Sequence, residues 1–136
     1  MRTIYLDYNA TTPLDARVRE AMQPAFEEAW GNPSSVHHVG QSARALLDEA
    51  RERVAASLKC KPSELIFTSG GSESTNLALL GMARHLRSHG RHIITSTVEH
   101  DAVLHPCKYL TNYDGFEVTF LPVDSVGRVS PDAVRD

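Results

Sequence analysis

Ile66-Phe67-Thr68-Ser69-Gly70-Gly71-Ser72-Glu73-Ser74-Thr75-Asn76 joins a short apolar run to a hydroxyl-rich segment across two glycines. The run reads as a strand over residues 64–68, and the segment after the glycines opens a helix. Glycines at such a junction allow close backbone approach, while the helix start aims unpaired N–H groups and a positive dipole end outward. Ser72 adds a hydroxyl. The stretch lacks the Gly-Lys-Ser/Thr ending of a nucleotide P-loop and the Gly-x-Gly-x-x-Gly spacing of a dinucleotide site. A phosphate monoester fits better than ATP or NAD. The same residues also fit an ordinary strand-to-helix turn with Ser72 as N-cap. Glu73 suits the helix dipole but repels a phosphate unless its side chain turns away.

The 136 residues, 41% of them hydrophobic, match one domain with enough apolar surface for a core. Fourteen basic and 17 acidic residues give a net charge of −3, too balanced for general nucleic-acid or anionic-membrane binding. No apolar run approaches a bilayer span, and Met-Arg-Thr-Ile-Tyr-Leu-Asp at the start has no signal-peptide core. The expectation is a cytoplasmic protein whose partners are small molecules or proteins. Cys60 and Cys107 have no metal-pair spacing and read as reduced thiols.

Outward from the opening stretch, the apolar spacing predicts a helix over residues 15–30, with Val18, Met22 and Phe26 on one face and a kink or early end at Pro24. A second helix is expected over 41–58, with Ala43, Leu46, Leu47, Ala50, Val54 and Leu58 facing inward. The helix after Gly71 is expected to run towards His89 and close at Gly90. Residues 92–98 read as a strand, Asp101 as the cap of a helix to about Asn112, and 116–123 as a strand before a turn at Gly127. This alternation predicts an α/β fold with a mainly parallel sheet, flanking helices, and ligands at the carboxyl ends of strands. Ser130-Pro131-Asp132 starts a further helix close to residue 136, which suggests a fragment or one half of a split protein.

His100 sits where a parallel strand meets its helix. There an imidazole can exchange protons, lie against a flat ligand, or simply cap or pack. Asn32-Pro33-Ser34-Ser35-Val36-His37-His38 offers amide, hydroxyl and imidazole groups on a loop, as either a binding segment or a solvated turn. His85 and His89, four apart, have no carboxylate or cysteine ligands near them in sequence, so no metal site is expected. Cys107 has only Lys108 as a neighbouring cation and reads as structural.

Tyr5-Leu-Asp-Tyr-Asn-Ala-Thr-Thr-Pro13, Gly31-Asn-Pro-Ser-Ser-Val-His37, Phe67-Thr-Ser-Gly-Gly-Ser-Glu-Ser-Thr-Asn76 and Val98-Glu-His100, in this order, resemble the first third of NifS/IscS-type cysteine desulfurases. The resemblance covers essentially the whole chain. It implies part of the large domain of a fold-type I pyridoxal 5'-phosphate (PLP) enzyme, related to class-V aminotransferases and acting as a homodimer. Residues 1–15 would form an N-terminal segment near the active site, and 16–136 the first part of the PLP-binding domain, incomplete at its C-terminal end. Gly71 and Ser72 match the pair that binds the cofactor phosphate, where many relatives have alanine and threonine. His100 matches the histidine that stacks on the pyridine ring and is implicated in proton transfer. Asn9 to Thr12 and the loop at 32–37 resemble segments close to the active site.

The activity so implied converts L-cysteine to L-alanine and leaves sulfur as an enzyme persulfide for a sulfur-acceptor or cluster-scaffold protein. Another class-V PLP enzyme, such as a selenocysteine lyase or aminotransferase, and a noncatalytic interaction fragment are the alternatives. The family's Schiff-base lysine, its aspartate facing the pyridine nitrogen, its substrate arginine and its persulfide cysteine have no match among these residues. The chain alone is therefore expected to be inactive. In this fold type the strand at 64–68 lies at an edge, separated from that at 92–98 by strands encoded later. The expectation is that a complementary C-terminal chain completes the sheet, or that these strands pair differently.

Overall fold

The computed structural model describes residues 3–135; Met1 and Arg2 of the expected N-terminal segment, and Asp136 of the expected last helix, lie outside them. The chain divides into two compact units, residues 1–66 and 67–136.

In the first unit, α1 (Ala16–Glu27) begins at Asp15, whose carboxylate accepts from the Arg17 N–H at 2.8 Å. The helix does not stop at Pro24. A proline in the last turn deletes a single backbone donor, and the Pro24 carbonyl still accepts from the N–H groups of Glu28 and Ala29. The face of Val18, Met22 and Phe26 is exposed.

Helix α2 (His38–Leu58) starts three residues earlier than its apolar pattern predicts, because His37 caps it with Nδ1 accepting from the Gly40 N–H at 3.4 Å. The inward stripe is also displaced. Ala43 and Ala55 are buried, with Leu47 and Arg51 half-buried between them, while Ala50, Val54 and Leu58 are exposed. This row faces the short 3₁₀ turn Pro62–Glu64, where the Arg51 guanidinium donates to the Leu65 carbonyl. An arginine with an acceptor can line such a face, which hydrophobic periodicity does not register.

The loop before α2 is held by the Asn32 side chain accepting from the Ser34 N–H at 2.9 Å and by backbone packing on Gly40. A Cβ on Gly40 would lie 2.4 Å from the Ser35 carbonyl oxygen and 2.7 Å from that of Asn32. Backbone atoms do not yield cheaply, so Gly40→Ala is expected to cost about 1–3 kcal/mol, read as a lowered urea midpoint with an unchanged m-value.

In the second unit, α3 (Gly71–Leu86), β1 (His92–Ser96), α4 (Asp101–Tyr113), β2 (Glu117–Leu121) and α5 (Pro131–Arg135) follow one another. The two strands pair in parallel, His92 opposite Glu117 through to Ser96 opposite Leu121, and α4 is the crossover. Helix α4 packs beside α3 and on β2. Cys107 and Leu110 are fully buried, with Phe116 and Leu121 also inside. Gly115, at φ 69°, turns the chain from α4 into β2. Gly127, at φ 80°, makes the expected turn after β2, and the Ser130 hydroxyl accepts from the Asp132 N–H to start α5.

Residues 65–69 do not form the expected strand. The described residues contain one ladder, β1 with β2, and residues 65–69 belong to no ladder: the Leu65 carbonyl accepts from Arg51 and the Ser69 N–H donates to Glu73 instead. Helix α3 ends at Leu86 rather than His89, because the N–H groups of His89 and Gly90 both turn back to the Leu86 carbonyl. His85 and His89 therefore share no helical face. Among the described residues no group of three or more metal-ligating side chains occurs, and no helix is long and apolar enough to cross a membrane.

Candidate functional site

The entry to α3 is built from the hydroxyls of the opening stretch. Thr68 and Ser74 share a hydrogen bond between their Oγ atoms, and both oxygens lie 3.2 Å from the Gly70 carbonyl, which accepts from whichever hydroxyl is not donating to the other. The N-cap is Gly70 and not Ser72; the first helical bond runs from the Ser74 N–H to the Gly70 carbonyl. Among the described residues the N–H groups of Gly71, Ser72 and Glu73 have no acceptor, the usual state of a first turn. A Cβ on Gly70 or Gly71 would meet nothing within 4 Å, so alanine fits at Gly71.

The Glu73 carboxylate is engaged by the residue before the turn. Glu73 reaches back to accept from both the Ser69 N–H, at 2.7 Å, and the Ser69 hydroxyl. These bonds, the hydroxyl's foremost, hold its carboxyl below the ordinary range. Its side chain borders a groove with Leu77 and Arg84, which shares Asn76 and Leu80 with the neighbouring cleft between α3 and α4.

His100, rather than Asp101, caps α4. Its Nδ1 accepts from the Ala102 N–H at 3.0 Å. A neutral imidazole accepting at Nδ1 carries its proton on Nε2, so capping fixes the tautomer and leaves an N–H donor free. The cap reading of His100 is thus met by Nδ1, which leaves the Nε2 atom uncommitted to the cap.

Helices α3 and α4 enclose an open cleft of about 470 Å³. Ser72, Asn76 and Leu80 line it from α3; His100, His105 and Tyr109 line it from α4. Two helix N-termini therefore open on one cleft, and their dipoles make its mouth favourable for an anion. The structure thus brings Ser72 and His100 together, with Gly71 beside Ser72 in the same turn. The loop at 32–37 and residues 9–12 belong to the other unit. Asn76, His105 and Tyr109 were not singled out by their chemistry; the signal that places them is the four-residue spacing 72-76-80 and 101-105-109, one face of each helix. His105 Nε2 lies 3.8 Å from the Asp101 carboxylate.

Cys107 lies inside the core. Burial first, and the charge of Glu99 second, push its thiol above the ordinary value of 9.0. A neutral buried thiol is inert. Alkylation near pH 8 followed by peptide mapping is expected to label the part-exposed Cys60 and spare Cys107 until denaturant is added. Since the unfolded thiol ionises first, this group's contribution to stability is complete below pH 9.0 and declines as pH rises towards the higher folded value.

Three comparisons place this geometry among known proteins. The chain is 54% identical over 134 residues to a protein named cysteine desulfurase IscS from Dictyoglomus turgidum, a match covering 98% of this chain and 34% of that protein. A solved NifS-like protein superposes with a TM-score of 0.88 at 44% identity, covering 96% of this chain and 36% of the other. SspA, solved in complex with cysteine, superposes at 0.86 with 40% identity, covering 97% and 38%. The chain spans about a third of the length of these relatives. The family model of class-V aminotransferases matches residues 4–136. With that match along nearly its whole length, and a parallel sheet and flanking helices that superpose on NifS-like structures, the chain belongs to the class-V aminotransferase family.

Proposed function

We propose that this chain supplies the phosphate seat and the ring-stacking histidine of a PLP-dependent cysteine desulfurase, which converts L-cysteine to L-alanine and passes sulfur on as an enzyme persulfide. The observation that carries this reading is the convergence of Ser72 and His100 on one cleft at two helix N-termini. The residues fit the cofactor: three N–H groups and a hydroxyl suit a phosphate, the glycines leave space, and the Glu73 carboxylate is tied to Ser69. When bound, PLP supplies the electron sink for cleavage at the amino-acid substrate. Gly71 and Ser72 would hold the phosphate through backbone N–H groups, with the Ser72 hydroxyl as a further donor. His100 would stack on the ring, with an exchangeable proton at Nε2.

The relatives' names support cysteine as the substrate and removal of its sulfur, and SspA's complex with cysteine supports the amino acid. A cytoplasmic homodimer that hands sulfur to an acceptor or iron-sulfur scaffold completes the proposal. The test uses the complete protein containing this chain. Expected are an absorbance band of bound PLP and equimolar alanine and sulfide from L-cysteine with a reductant. Release of selenium only, or amino transfer to pyruvate without sulfide, would replace the reading with another class-V activity.

A further inference from the structure

We propose that Glu99 is a positioning residue, which fixes the turn presenting His100 to the cleft by accepting the Ser96 hydroxyl across Thr97 and Val98. The inference rests on the role given to His100 above. Strand β1 ends at Ser96, and the last tie to β2 is the Thr97 N–H donating to the Leu121 carbonyl at 3.0 Å. Helix α4 is capped by His100, whose carbonyl accepts from Val103 at 2.8 Å and Leu104 at 3.2 Å. Between these anchors, Val98 is 60% exposed. The Ser96 hydroxyl donates to Glu99 Oε1 at 3.0 Å, and among the described residues this is the hydrogen bond that spans the gap.

Ser96 makes the bond consequential. It is only 9% exposed, and a buried hydroxyl without an acceptor is costly, so the pair favours one turn geometry. Any rotation of the turn would carry the His100 Cα with it, and either the Nδ1 cap or the ring's approach to the cleft would be lost.

The test compares Glu99→Ala, Glu99→Gln and Ser96→Ala in the complete protein, alone and with His100→Asn. Glutamine keeps an oxygen that accepts the serine hydroxyl; alanine does not. Expected is a fall in kcat of about tenfold for Glu99→Ala and for Ser96→Ala, the scale of one hydrogen bond, with KM little changed and Glu99→Gln close to the parent. In the His100→Asn background, Glu99→Ala should lower kcat no further, because the residue it positions is gone. Should Glu99→Ala fail to fold, Ser96→Ala carries the same comparison.

A readout independent of catalysis is the rate at which diethyl pyrocarbonate labels His100 in cofactor-free protein, mapped by mass. Glu99→Ala and Ser96→Ala should shift it equally, and Glu99→Gln should not. Full activity in Glu99→Ala, or a tenfold loss that multiplies with His100→Asn, would overturn the proposal. If the parent protein neither binds PLP nor releases sulfide while the labelling still shifts, the desulfurase reading fails and the positioning stands.

Discussion

Replacing His100 by alanine in the complete protein is expected to lower turnover of L-cysteine by about 10²–10⁴-fold, the usual weight of a positioned proton carrier. Two functions are lost together, because Nδ1 caps α4 while the residue also lines the cleft. The cap accounts for about 1 kcal/mol of stability, which is too little to explain the kinetic loss. Asparagine separates them. It ranks among the best N-cap residues, so His100→Asn is expected to regain the melting temperature that alanine loses while remaining as inactive. Steady-state kinetics beside thermal melting of the three proteins decide the matter. An active His100→Asn would reduce the histidine to a cap.

Leu110→Ala carries the largest expected loss of stability, about 2–5 kcal/mol. Leu110 is fully buried, next to a set that includes Cys107, Phe116 and Leu121, and its carbonyl accepts from the N–H groups of Asp114 and Phe116 where α4 turns into β2. A cavity there loosens the contact between α4 and β2, and so the helix that carries His100 at its start. Leu110→Met conserves volume and is expected to cost less than about 1.5 kcal/mol. Urea unfolding of the two variants checks the difference. Equal midpoints would mean that the site collapses around the smaller side chain.

Much of the second unit was legible in the residues because its signals are local. A strand reading at 92–98 and a break at Gly127 need no knowledge of neighbours, and both are present, the strand shortened to His92–Ser96. Helix caps were less legible. Asp101 and Ser72 are conventional N-cap residues, yet His100 and Gly70 hold those positions, one through an imidazole nitrogen and the other with no side chain at all. The strand expected at 64–68 had the right composition, but a strand is completed by a neighbour, and β1 is paired with β2 instead.

The candidate site divides in the same way. Gly70-Gly71-Ser72 and His100 could be picked out from the sequence, since helix starts after glycines and a histidine at a strand end are patterns along the chain. The sequence by itself therefore determined which groups are available: N–H donors, a hydroxyl, an imidazole, and an acid at position 73. Only the tertiary structure decided which way they face. Glu73 folds back on Ser69, His100 engages one nitrogen and leaves the other, and packing of α3 beside α4 sets Ser72 and His100 on a common cleft. The physical reason is range: propensity and capping act over three or four residues, whereas 28 positions separate Ser72 from His100, and only the parallel crossover and its buried core bring them together.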